Sequence, residues 1–345
     1  MTHEYFNYAA FALICAALLT LPFVPAFREW LHPSDIAALP ILPNYANDID
    51  HFSRRLQADA EAKLGQGPAT GYEDFDFVDE QPETMDWAKA RKRLISRSSI
   101  DTQGAIQSVQ PVYVEGSLRT VAGSLFSALY ATGDIDLGAK SEISDWAHAD
   151  GVLRLGVNSI ALRRVSAGTA IELGNEAWFE RLQAPTLRFG SNSRVLPPAE
   201  VDQTPASYAD LPDAIRQTDA LFLIRGDCAL PAGKIYQGSL VVAGFLTIGA
   251  GTTVMGDIKA RKGASIGPGA SVQGAVTCEK RVYVFKDARV LGPVISESDI
   301  LIGAKALIGL PEAQTTVSAR NIIVEDGVVV HGAIWAHEIG MVKPL

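Results

Sequence analysis

Six histidines, His3, His32, His51, His148, His331 and His337, are the side chains of this sequence best suited to proton transfer or metal ligation. No two of them share a helical spacing with a carboxylate between, so no metal-hydrolase helix is written here. His337-Glu338 sets two ligand types side by side, but two groups do not complete a metal shell. His148, in Trp146-Ala147-His148-Ala149-Asp150, is a candidate general base; the plainer expectation is a ring that meets solvent or satisfies a turn. The run Gly249 to Gly256 has the glycine content of a phosphate loop and lacks its lysine. No Gly-x-Ser-x-Gly elbow is present, and Arg225-Gly226-Asp227 reads as a chance match to an adhesion tripeptide. Cys15, Cys228 and Cys278 do not make a disulfide framework. The sequence therefore predicts no catalytic residue, no metal site and no cofactor.

What these residues sit on is a repeat. From 240 to 308, every sixth residue counted from Leu240 and every sixth counted from Val242 is apolar, with Thr252 and Ser296 the exceptions. In a chain that is 48% hydrophobic, chance would break that pattern far more often. A fixed short period marks a solenoid. Residues two apart share a face of a strand, so Leu240 and Val242 enter a core together. Six residues per face and eighteen per turn describe a triangular parallel β-helix, an all-β fold. Gly238, Gly256, Gly274 and Gly292, eighteen apart, are expected to stack at one corner. Ile248-Gly249, Ile266-Gly267 and Ile302-Gly303 mark a second corner. Cys278 falls in the apolar column and reads as a small core residue.

The beat also runs through Ile135, Leu153 and Ile171, and through Leu137, Leu155 and Leu173. Phe189-Gly190 arrives two residues early. A slip of four, from Ile300 and Ile302 to Ile322 and Val324, predicts a bulging loop over 310–316. The reading is a first β-helix block over 111–190, a proline-punctuated interruption over 191–222 and a second block over 223–345. The interruption holds a short helix at Asp210 to Thr218 and serves to cap the first block or lay it beside the second.

Net charge is −9, which argues against nucleic acid as a partner. No charge interrupts Phe6 to Phe27, a stretch of bilayer-crossing length. It predicts a single transmembrane anchor over 1–28 in contact with lipid, with Trp30 at the interface. Arg28 then places the bulk of the chain in the cytoplasm of a bacterial inner membrane. Residues 29–110 read as a juxtamembrane helix near Asp48 to Leu64, a linker at Gly65 to Gly71, and an acidic run followed by a basic one that form a solvated tether.

The second block resembles the bactofilins, bacterial polymer-forming cytoskeletal proteins. The pieces that carry the resemblance are Val254-Met255-Gly256-Asp257-Ile258, Val272-Gln273-Gly274-Ala275-Val276, Val290-Leu291-Gly292-Pro293-Val294 and Val330-His331-Gly332-Ala333-Ile334. The stretch over which the resemblance runs is about a third of the chain. The resemblance implies a right-handed coil and end-to-end self-assembly without nucleotide, hence a scaffold that positions a membrane or envelope-synthesis partner. The last turn of a solenoid exposes an unpaired edge and an apolar core, so Val328, Val330, Ile334 and Trp335 are the candidate self-assembly residues. Charged replacements at Val330 and Ile334 are expected to abolish high-mass assemblies. Two alternatives stand beside this. One is a hexapeptide-type acyltransferase, which Ile266-Gly267-Pro268-Gly269-Ala270-Ser271-Val272 resembles and which requires a histidine such as His148. The other is a periplasmic polysaccharide-binding or export protein, which requires the opposite membrane orientation.

Overall fold

The computed structural model describes residues 2–24, 27–28, 48–65, 74–78, 85–191 and 203–344. The expectations for Trp30, for the linker at Gly65 to Gly71 beyond its first residue, and for Glu73, Asp79, Glu80 and Glu83 of the acidic run lie outside these residues. Two compact units result, Met1–Asp48 and Ile49–Leu345.

The first unit carries the helix Thr2–Thr20, followed by a 3-10 turn at Leu21–Phe23. No helix among the described residues is long and apolar enough to cross a membrane, which corrects the transmembrane expectation for Phe6 to Phe27. The physical reason is in the sequence: Thr2, His3, Glu4 and Asn7 load the first turns with polar groups, and Pro22 falls where the α-helix gives way to the 3-10 turn.

The second unit is a β-solenoid of about 14 turns of roughly 18 residues. Strands of two to four residues alternate buried and outward side chains, as in Leu246–Ile248, Ile258–Ala260 and Val276–Cys278. Each pairs in parallel with the strand one coil on. Ile248 faces Ile266, which faces Val284, which faces Ile302, and all four are buried. The two polar breaks in the column are satisfied by backbone: Thr252 Oγ1 donates to the Pro231 carbonyl at 2.6 Å, and Ser296 Oγ donates to Lys280 at 2.8 Å.

Corners have two devices. Gly256, Gly274 and Gly292 each lie against the glycine one coil below, leaving no room for a Cβ. At another corner the chain turns through left-handed residues, glycine at Gly251 and Gly269 but Lys140, Asn158 and Glu176 in the first block and Asp287 and Lys305 in the second. Phe285 stands where the eighteen-residue beat of the second corner would place a glycine, between Gly267 and Gly303, and its half-exposed ring lies beside Tyr283. The slip of four is absorbed as expected, with Ile300 paired to Ile322 and Ile302 to Val324.

Coils begin earlier than position 111. Phe75–Phe77 pairs with Arg93–Ser96, and Leu94 pairs with Val112. The basic run therefore enters the first coils instead of forming a tether. Arg93 is bonded to Asp59 at 2.7 Å, and Lys92 pairs with Asp76 at 3.4 Å. The helix His51–Leu64 forms as the spacing predicts, but it lies along the flank of the solenoid. Its Leu56 and Ala60 cover an outward column of Phe75, Ile95, Tyr113 and Tyr130.

The interruption caps the second block, not the first. Tyr208 stacks on Tyr236 at 4.8 Å and packs on Phe222 at 5.3 Å. Ala214–Thr218 is a strand, not a helix, and folds antiparallel onto Leu221–Ile224. Trp87 is buried in the same core at the start of the first block.

The blocks meet through their last coils. Trp178–Phe189 pairs antiparallel with Val329–Lys343, so the two β-helices run towards each other and join end to end. The interior columns continue across. Ile135, Leu153, Ile171 and Leu187 lead into Val330, Ile308, Val290, Val272 and Val254 through successive pairings. Leu182 meets Ile334 in the same way. Val328, Val330, Ile334 and Trp335 were expected at an open end. The edge they belong to is instead occupied within the chain: Val330 and Ile334 are buried against Leu187 and Leu182, and the Val328 carbonyl accepts from Phe189. An exposed strand edge over an apolar core is costly, and here the first block covers it.

Candidate functional site

Two grooves flank this joint. The more polar one, about 540 Å³, is lined by Phe52, Asp145, Trp146, Arg163, Arg164, Glu180, Arg181, Trp335, Ala336 and His337. Its floor follows from the register of four successive strands. Trp146 pairs with Arg164, Arg164 with Arg181, and Arg181 with Trp335. An outward column thus reads aromatic, cation, cation, aromatic. Arg163 takes a left-handed backbone beside it, at φ 56°, where the register of its strand shifts.

Each cation has a defined setting. The Arg163 guanidinium pairs with Asp145 at 3.2 Å, and the Arg163 backbone N–H donates to Glu180 at 3.0 Å. The Arg164 guanidinium lies 5.2 Å from the centre of the Phe52 ring, and that of Arg181 lies 4.9 Å from Trp335. Neither Arg164 nor Arg181 has a carboxylate partner among the described residues. Burial, and then the charge of Arg164, pull the Arg181 guanidinium below its ordinary range. The His337 ring sits 4.2 Å from Trp335, with Nε2 3.2 Å from Ser318 Oγ. Glu338 reaches Arg320, not a shared ligand position. No group of three or more metal-ligating side chains occurs among the described residues.

The second groove, about 470 Å³, is more apolar and is lined by Trp178, Arg281, Asp299, Leu301, Asn321, Ile323, Ile339 and Met341. Arg281 and Asp299 close one side with a 2.6 Å ion pair.

His148 lies on the flank beside the helix His51–Leu64. Its Nδ1 is 2.7 Å from Ser166 Oγ and its Nε2 is 3.2 Å from Asp150 Oδ1, which also accepts from Tyr130 at 2.8 Å. The ring stacks on Tyr130, which stacks on Tyr113. Serine, histidine and aspartate are thus in contact, the components of a nucleophilic triad. Two features argue for a structural role. Ser166 is only 5% exposed, and neither groove is lined by it. Burial also drives the imidazole below its usual range, against the opposing pull of Asp150, which favours a neutral ring that holds its neighbours in place.

Of the residues singled out from sequence, Trp335 and His337 line the polar groove, whereas Val330 and Ile334 lie in the core beneath the joint. The corner glycines Gly238, Gly256, Gly274 and Gly292 sit in the second block and touch neither groove. Arg164, Arg181 and Trp146 were missed. Their signal was present, since Trp146 and Arg164 are eighteen apart on the outward beat. Only the antiparallel joint brings Trp335 to them. No protein-family model matches the chain, and neither the curated proteins nor the solved structures contain a match.

Proposed function

We propose that this protein is a non-catalytic scaffold, a stiff β-helical rod of the bactofilin kind that positions partner molecules on its faces. The observation that carries this reading is the continuous interior across the joint. Two solenoids that share one core behave as one body, because close-packed side chains transmit strain instead of absorbing it. At about 4.8 Å per coil the rod is roughly 65 Å long. The end-to-end growth implied by the family resemblance is not retained through Val330 and Ile334, since their edge pairs within the chain.

Phe11, Leu13, Ile14, Leu18 and Leu19 are exposed along the N-terminal helix, which favours attachment of the scaffold to a lipid surface through that segment. Sedimentation and negative-stain electron microscopy of the full chain test the reading. Discrete rods that float with liposomes only when residues 1–28 are present support it. Loss of a cellular phenotype in Ser166→Ala, with the protein folded and at normal abundance, supports an enzyme instead.

A further inference from the structure

The polar groove at the joint has the chemistry of a ligand site. Arg164 and Arg181 stand on adjacent coils, partly buried, and neither has an acidic partner among the described residues. Of the groove's own acids, Asp145 pairs with the Arg163 guanidinium and Glu180 accepts from the Arg163 backbone N–H. Two neighbouring guanidinium groups repel each other, and an anion between them relieves that repulsion. The Phe52 and Trp335 rings lie against the two groups within the groove, which fixes their direction before any ligand arrives. On a chain of net charge −9, an uncompensated cation pair in a groove is a local exception.

The shape narrows the class. The column Trp146, Arg164, Arg181, Trp335 crosses four coils, about 14 Å at the usual strand spacing, so it fits an extended ligand and not a single ion. A volume of about 540 Å³ is within the range of ligand sites. Three arginines against two carboxylates give the groove a net charge of +1, which favours an anionic ligand. The indole of Trp146 at one end suits a flat, partly apolar ring. We propose that this groove binds an acidic oligosaccharide, with sugar carboxylates held by Arg164 and Arg181, the latter oriented by Trp335, and a sugar face lying on Trp146. The proposal goes beyond the scaffold reading and depends on the groove alone.

The test is calorimetric titration of the full chain with an oligogalacturonate at low salt, with a neutral glucose oligomer and polyglutamate as comparisons. The expected result is saturable binding of the uronate and none of the neutral sugar. Arg164→Ala and Arg181→Ala should each weaken binding about tenfold or more, and Arg261→Ala, remote from the groove, should leave it unchanged. Trp335→Phe should bind more weakly than the parent but remain folded by circular dichroism, and Arg181→Lys serves if Arg181→Ala does not fold. Absence of saturable uronate binding would overturn the proposal. So would polyglutamate binding as tightly, or uronate binding indifferent to both arginines and to Trp335. None of these failures bears on the scaffold reading, which is read by sedimentation and microscopy.

Discussion

Phe179 and Gly340 face each other across the joint between the two β-helices, and the phenylalanine ring fills the space where a Cβ on Gly340 would stand. One coil supplies the large residue and the opposing coil the absent one. Replacing Gly340 with alanine should therefore destabilise the fold by about 1–3 kcal/mol through overpacking, measured by urea unfolding. Phe179→Ala alone should cost about 3–5 kcal/mol. The double variant should be more stable than the sum of the two predicts, because the clash is removed with the ring. Simple additivity would show that the two residues do not meet.

Val330 and Ile334 are core residues of the joint, and that changes what their substitution does. Ile334→Ala should lower stability by about 2–5 kcal/mol. Sedimentation of the folded fraction should be the same as for the parent, because these side chains face Leu187 and Leu182 of the same chain. A change in oligomeric state with unchanged stability would restore them to an intermolecular contact.

The neutral His148 ring gives a pH dependence with a definite sign. Its folded-state pKa lies below the usual 6.5, chiefly through burial, so the unfolded chain binds the extra proton first. The stability it contributes is fully present above pH 6.5 and is lost as pH falls from 6.5 towards the lower folded value. Melting temperature between about pH 7.5 and 5.5 should fall more steeply in the parent than in His148→Gln. Equal slopes would mean that the ring is not held neutral.

Cys228 and Cys278 should be unreactive in the folded protein. Burial raises the first thiol to about 11 and the second to about 12, and both side chains are mostly enclosed. Alkylation at pH 8 should modify neither until denaturant is added, as read by peptide mass. Rapid labelling of either without denaturant would show that its coil opens.

Much of the solenoid was legible from the sequence because a stacked coil repeats its demands every eighteen residues. Leu246, Ala264, Val282 and Ile300 pair in turn because each fills the same slot, and the slip to Ile322 is visible for the same reason. The early coils at Phe75 and Leu94 were hidden by the charges around them, since Asp76 stands in register with the core residue Leu94 and Arg93 with Phe75, so the apolar column is interrupted where the solenoid begins. The joint was not legible at all. Period states which coil stacks on the next within a block, but Leu187 and Val330 are brought together by an antiparallel meeting that no spacing encodes. The polar groove shares that fate, because Trp335, Ala336 and His337 of the second block complete a lining that otherwise comes from the first block and its flanking helix.

The end-to-end joint is tested most directly by a cross-link between Trp178 and Met341, which pair across it. Trp178→Cys and Met341→Cys are combined with Cys15→Ser, and the dilute protein is oxidised and run on a non-reducing gel. A cross-linked monomer is the expected product. Cross-linked dimers alone, or two cysteines that titrate freely and never join, would contradict a chain whose two β-helices close on each other.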